Sequence, residues 1–162
     1  MTREHAIIAG GCFWGMENLF RHLDGVIDTT VGYTGGRKVN PTYQSHDDHA
    51  QALEVVFDPA KLAYRALLEF FFQIHDPTTR NRQGNDIGVS YRSAIFYLDE
   101  AQKKEAAQLI SEISVSHKWP GRIVTEVVPA EIFYPAEEYH QDYLQHNPNG
   151  YSCHYVRKNW TL

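Results

Sequence analysis

Ala6-Ile7-Ile8-Ala9-Gly10-Gly11-Cys12-Phe13-Trp14-Gly15 is the stretch on which the fold turns. A short apolar run reads as a buried strand and stops at a glycine pair. A helix follows from about Phe13 to Leu23, with Met16, Leu19, Phe20 and Leu23 along one stripe, and Asp24-Gly25 ends it. The glycines permit a tight turn and let another group approach the backbone closely. Cys12 falls at or just before the helix N-terminus. Free N–H groups and the helix dipole there favour a thiolate, and such placement lowers a thiol pKa by about one to several units. Phe13 and Trp14 beside it are suited to wall an apolar pocket for a methyl group, or to pack in the core.

Working outward, Val26 to Tyr33 reads as a strand closed by Gly35-Gly36, and residues 37–48 as a polar loop. Ala50 to Phe57 is a strand before Asp58-Pro59, and Tyr64 to Ile74 a strongly apolar helix. Residues 76–88 form a long loop, a length that usually carries function. Arg92 to Leu98 is a strand. Asp99 caps a helix to about Ser114, with Gln102 set to complete a capping box. Ile123 to Val128 is a further strand, and Pro135 opens a last helix through about His146. From Asn147 the chain reads as a loop-like C-terminal tail. This order predicts an α+β protein, a two-layer α/β sandwich with a mixed sheet and a ferredoxin-like, split βαβ core. No repeat or linker interrupts it, so residues 1–162 form one domain, with 147–162 as its tail.

The 162 residues are 43% hydrophobic and 22% charged, with a formal net charge of −5. That composition is globular. No Lys/Arg stripe suits nucleic acid, and no apolar run nears the roughly 20 residues that span a bilayer. The expected location is cytoplasmic. Cys12 and Cys153 are the only cysteines. In a reducing compartment such a pair is catalytic, redox-active or simply buried packing.

Gly-Cys-Phe-Trp-Gly at 11–15 resembles the signature of the A-type peptide methionine sulfoxide reductases. Further blocks are similar to that family and stand in its order: Val31-Gly32-Tyr33-Thr34-Gly35-Gly36, Asn40-Pro41-Thr42-Tyr43, His75-Asp76-Pro77-Thr78, Asn81-Arg82-Gln83-Gly84-Asn85-Asp86, Tyr91-Arg92-Ser93, Phe133-Tyr134-Pro135-Ala136-Glu137 and Tyr139-His140-Gln141. The resemblance implies that Cys12 attacks the sulfur of methionine sulfoxide, of the S epimer, while the substrate methyl lies against Phe13 and Trp14. It implies that Tyr43 and Tyr91 hydrogen-bond the sulfoxide oxygen, that methionine leaves, and that Cys12 is left as a sulfenic acid. The physics agrees: an S–O oxygen leaves only when protonated or strongly hydrogen-bonded. It further implies that Cys153 in the tail resolves the sulfenic acid as a Cys12–Cys153 disulfide, which thioredoxin reduces. No cofactor is implied. The substrate is methionine sulfoxide, free or in proteins, and neither nucleic acid nor membrane is expected as a partner.

One position departs. Where the family's acid stands in a His-Ala-Glu segment, this chain has His49-Ala50-Gln51. A Gln amide donates hydrogen bonds but is no general acid near neutral pH. Whether Gln51 is natural or an exchange that removes acidity, weakened activity is expected. Glu54 lies three residues along the same strand, so it faces the other way and does not substitute. Asp86 matches a family position on the long loop, where orienting the site and shaping a turn both stay open.

His46-Asp47-Asp48-His49 has metal-ligand residue types, but four consecutive side chains do not converge on one ion. Glu137-x-x-His140 matches half of a di-iron motif that needs two copies. A Cys-His acyl-transfer enzyme and an inactive sulfoxide-binding variant are the alternatives to a reductase.

Overall fold

The computed structural model describes residues 2–162. Strand β1, Glu4–Gly10, leads into helix α1, Phe13–Phe20. Strands β2, Val26–Thr34, and β3, Ala50–Phe57, follow, then helix α2, Tyr64–Ile74. A small hairpin of β4, Arg82–Gln83, and β5, Asp86–Ile87, precedes β6, Ser93–Tyr97. Helix α3, Glu100–Ser116, strands β7, Glu126–Pro129, and β8, Tyr134–Pro135, and helix α4, Tyr143–His146, complete the chain. This is an α+β fold with a six-stranded mixed sheet and four helices. The strand order is β7-β6-β1-β3-β2-β8. All neighbours are antiparallel except β6 and β7.

Strand alternation divides the core between two faces. Ala6 and Ile8 of β1 join Leu53, Val55 and Phe57 of β3 on one face. There they meet Met16 and Phe20 of α1, Leu67, Leu68, Phe71 and Phe72 of α2, and Leu109 and Ile113 of α3. Ile7, Ala9, Ala50, Ala52, Ala94 and Phe96 form a thinner core on the other face, under Val128, Ala130 and Phe133. The helix face holds most of the buried apolar surface and therefore most of the hydrophobic stabilisation.

Most expected elements stand, several with corrected edges. Helix α1 is shorter than expected, ending at Phe20. Asp99 does cap α3 by accepting from the Gln102 N–H at 2.8 Å. Gln102, however, returns its bond to Leu98 N rather than to Asp99, and donates to His5 O. The expected strand from Ile123 is Glu126–Pro129, because Val124 N is drawn to Pro77 O at 2.8 Å. No continuous helix runs from Pro135 to His146. Pro135 ends a short strand on β2, a 3-10 turn covers Glu138–His140, and α4 is a single turn. The reason is tertiary: the Gln141 side chain leaves its own backbone and bonds both Val31 N and Val31 O at 2.9 Å. It covers the β2 edge beside β8, where an open strand edge would otherwise need water.

Two histidines are buried in this frame. His75 Nε2 accepts from Ser93 Oγ at 2.8 Å while Nδ1 donates to Phe71 O. His154 Nε2 donates to Gly10 O at 2.7 Å. Burial drives His75 down to about 3 and His154 down to about 4. Both folded values lie below that of the unfolded chain, so the stabilising preference for the neutral rings holds above about pH 6.5. It is lost as pH falls from there through about 4. Glu17 and Asp86, raised by burial, oppose this nearer the carboxylate range. The urea midpoint should therefore fall between pH 7 and pH 4.5; a flat midpoint over that interval would contradict the assignment.

Candidate active site

The site is assembled where β1 hands over to α1. Cys12 occupies the N-cap of α1 with an extended backbone, and Gly11 before it adopts φ +102°. The backbone N–H groups of Trp14 and Gly15 at the helix start act to lower the Cys12 thiol pKa. Burial nevertheless dominates and pushes the thiol up to about 12, helped by the Asp86 and Cys153 charges. The thiolate-favouring helix terminus read from the sequence is thus present, but desolvation outweighs it in the unliganded molecule. Both cysteines are free thiols.

Gln51 lies beneath the same turn, on the helix-side face of β3. Its Oε1 accepts the Phe13 N–H at 3.2 Å, so the amide satisfies one free N–H of the helix start. Glu54 instead points out on the other face toward His5, as its spacing required.

Around Cys12 the aromatic side chains interlock. Phe13 is wholly buried, and its ring neighbours are Tyr33, Tyr43 and His140. Trp14 is half-buried and lies flat on Tyr143, with ring centroids 3.8 Å apart. Its indole N–H donates to His140 Nδ1 at 3.0 Å. That bond puts the neutral ring's proton on Nε2, an atom buried without a partner. Burial holds His140 below the ordinary His value.

Tyr43 is fixed through its backbone N–H, which donates to Glu137 Oε2 at 3.0 Å; Tyr33 O–H donates to the other oxygen at 2.8 Å. Burial would raise Glu137, but those bonds outweigh it and hold the carboxyl below its usual range. Tyr91 ends the 3-10 turn Val89–Tyr91. Burial raises both Tyr43 and Tyr91, the latter to about 12, so both phenols stay protonated donors. The Asp86 charge, and that of Cys12 when it ionises, raises each further. Asp86 starts β5, is itself raised by burial, and accepts from Tyr151 O–H at 3.2 Å. Cys153 Sγ stands 4.0 Å from Asp86 Oδ2 and 4.0 Å from Gln83 O.

The eight candidates, Cys12, Phe13, Trp14, Tyr43, Gln51, Asp86, Tyr91 and Cys153, therefore gather in one cluster. Sequence reasoning missed Glu137, Tyr143, Tyr151 and His154 as parts of it. The glycines were the one signal for His154. A Cβ on Gly15 would stand 2.3 Å from His154 Nδ1, and one on Gly11 would stand 3.2 Å from Nε2. The group that approaches this backbone is the chain's own tail. The residues of His46-Asp47-Asp48-His49 bind separate partners: Ser90, the Arg37 N–H, and the Gly36 N–H with Lys38 O. Among the described residues no three His, Cys, Asp or Glu converge on one point, and no helix is long and apolar enough to cross a membrane. A cavity of about 340 Å³ lined by Leu62, Phe70, Leu109, Trp119 and Trp160 includes none of the cluster.

Residues 4–161 match the family model described as peptide methionine sulfoxide reductase. A peptide methionine sulfoxide reductase MsrA of Mycobacterium leprae is 66% identical over 161 residues, covering 99% of this chain and 90% of the relative. The crystal structure of Mxr1 from Saccharomyces cerevisiae in reduced form superposes with a TM-score of 0.89 at 40% identity, covering 96% of this chain and 93% of that one. Mxr1 in complex with Trx2 gives a TM-score of 0.68 at 33% identity, covering 96% and 91%.

The charge environment has a measurable consequence. In a Cys153→Ser variant, iodoacetamide alkylation of Cys12 should be slow at pH 7 and climb about tenfold per pH unit to at least pH 10. Asp86→Asn removes a like charge and should speed alkylation at fixed pH. A plateau below pH 9, or no gain from Asp86→Asn, would count against this electrostatic balance.

Proposed function

The chain belongs to the peptide methionine sulfoxide reductase family, of the MsrA type, and on that premise we propose how its own residues divide the chemistry. The reaction is the reduction of methionine sulfoxide to methionine, an oxidoreductase activity. The observation that carries the assignment is a buried free thiol, Cys12, at a helix start beside the packed rings of Phe13, Trp14 and Tyr43.

Cys12 is the nucleophile toward the sulfoxide sulfur. Substrate binding supplies what the free enzyme lacks, a polar partner that makes proton loss from the buried thiol worthwhile. Tyr43 and Tyr91 donate to the sulfoxide oxygen, where negative charge grows as the S–O bond weakens. Trp14, steadied by His140 and Tyr143, offers its half-buried ring to the substrate methyl, with Phe13 behind it. The net step moves the oxygen to Cys12: methionine leaves, and the cysteine sulfur becomes a sulfenic acid. Cys153 then attacks that sulfur, and a Cys12–Cys153 disulfide forms with release of water. Thioredoxin is the expected reductant, a role in keeping with the capture of Trx2 by the yeast relative. The substrate is the S epimer, free or in proteins. The strand order β6-β1-β3-β2 supports a ferredoxin-like core, with the site at the C-terminal end of its first strand.

Gln51 makes this chain a slow reductant in our reading. Its carbonyl end is engaged by Phe13 N, and its amide holds no proton to give. Asp86, raised by burial, is the carboxyl best suited to relay one. A stoichiometric assay without added reductant tests the proposal. About one methionine per chain with loss of both thiols is expected; no methionine from either parent or Gln51→Glu would overturn it. Gln51→Glu should accelerate methionine formation by about 10²-fold. A variant no faster than the parent would remove the acid argument and leave the reductase assignment standing.

A further inference from the structure

The tail that carries Cys153 is held on both sides of the cysteine. Before it, Tyr151 O–H donates to Asp86 at 3.2 Å. After it, the His154 ring enters the slot opened by Gly11 and Gly15 and donates from Nε2 to Gly10 O at 2.7 Å. His154 is buried, whereas its neighbours Ser152 and Tyr155 are exposed and Cys153 is half-exposed. The carbonyl it grips lies two residues before the nucleophile. Because a carbonyl only accepts, Nε2 carries the proton and Nδ1 is the bare nitrogen, 4.0 Å from Cys153 Sγ. Farther along, Arg157 N bonds Gln73 O at 3.0 Å, which secures the tail but not the cysteine.

We propose that His154 is the positioning residue of the resolving step: its bond to Gly10 seats the tail in the glycine slot and keeps Cys153 presented to the turn that bears Cys12. The inference rests on the reading of Cys153 as the resolving thiol. In that step the Cys153 sulfur bonds the Cys12 sulfur and the S–O bond of the sulfenic acid breaks. The hydroxide that leaves takes up the thiol proton as water. Cys12 sulfur is reduced, Cys153 sulfur is oxidised, and no other reagent is consumed. His154 enters none of these bonds; it shortens the search of the tail for its target, the kind of placement worth about 10- to 100-fold in rate.

The test is a rapid-quench single turnover with S-epimer methionine sulfoxide, following methionine formed and thiols lost in the parent, His154→Ala, His154→Gln and Cys153→Ser. His154→Ala should form methionine and lose one thiol in the parent's burst yet lose the second thiol, Cys153, about 10-fold or more slowly. His154→Gln keeps an amide N–H able to reach Gly10 O and should recover loss of the second thiol to within about 3-fold of the parent. Disulfide formation at the parent's rate in His154→Ala overturns the inference. So does a joint loss of methionine formation and thiol loss, which would make His154 a support of the nucleophile's turn rather than of the tail. Cys153→Ser separates the two layers. Steady turnover of that variant with thioredoxin defeats the resolving role itself, while a stall after one turnover beside an unimpaired His154→Ala defeats only the role of His154.

Discussion

The turn from β1 into α1 has no room for side chains at positions 11 and 15, and the site is built around that steric constraint. A Cβ at Gly11 would come within 2.6 Å of the Gln83 side chain, and one at Gly15 within 2.3 Å of the His154 ring. Two distant segments therefore close on the turn that bears Cys12. The hairpin arrives through Gln83, whose amide bonds both Asp76 N and Asp76 O at 2.9 Å, and it delivers Asp86. The tail arrives through His154 and delivers Cys153. Close approach of backbone is what glycine permits at the cost of conformational freedom.

Electrostatics at this turn runs in opposing directions. The N–H groups of the helix start favour the Cys12 thiolate, yet burial and the Asp86 charge disfavour it more strongly. The same burial that disfavours the thiolate excludes water, and exclusion of water strengthens hydrogen bonds within such a site. Carboxyl groups are rationed accordingly. Glu137 is tied to Tyr33 and Tyr43, and Glu17 to Thr29 and Asp142, so each serves as scaffold. With an amide at position 51, Asp86 remains the carboxyl that shares its surroundings with Cys12, Tyr43, Tyr91 and Cys153.

Much of the fold was legible because its signals are local. Strand β3 and helix α2 begin and end where their patterns change: Ala50–Phe57 stops before Asp58-Pro59, and the aromatic-rich run Tyr64–Ile74 stops before His75. The opposite facing of Gln51 and Glu54 follows from strand geometry alone. The region from Pro135 to His146 was misread because Gln141 and Glu137 spend their side chains on Val31, Tyr33 and Tyr43, about a hundred residues away. Helical propensity yields there to hydrogen bonds that no window of sequence contains.

By itself the sequence determined the helix-start setting of Cys12, the family blocks and the amide at position 51, since these depend on residue identity and short-range order. Tertiary structure alone decided that the glycines receive the chain's own tail, that Glu137 is scaffold rather than acid, and that the Cys12 thiol rests protonated. The physical reason is burial. Desolvation depends on every atom packed around a group, and those atoms come from β1, α1, the hairpin and the tail together. Proximity along the chain sets backbone conformation, but only proximity in space sets the charge state and partners of a buried side chain.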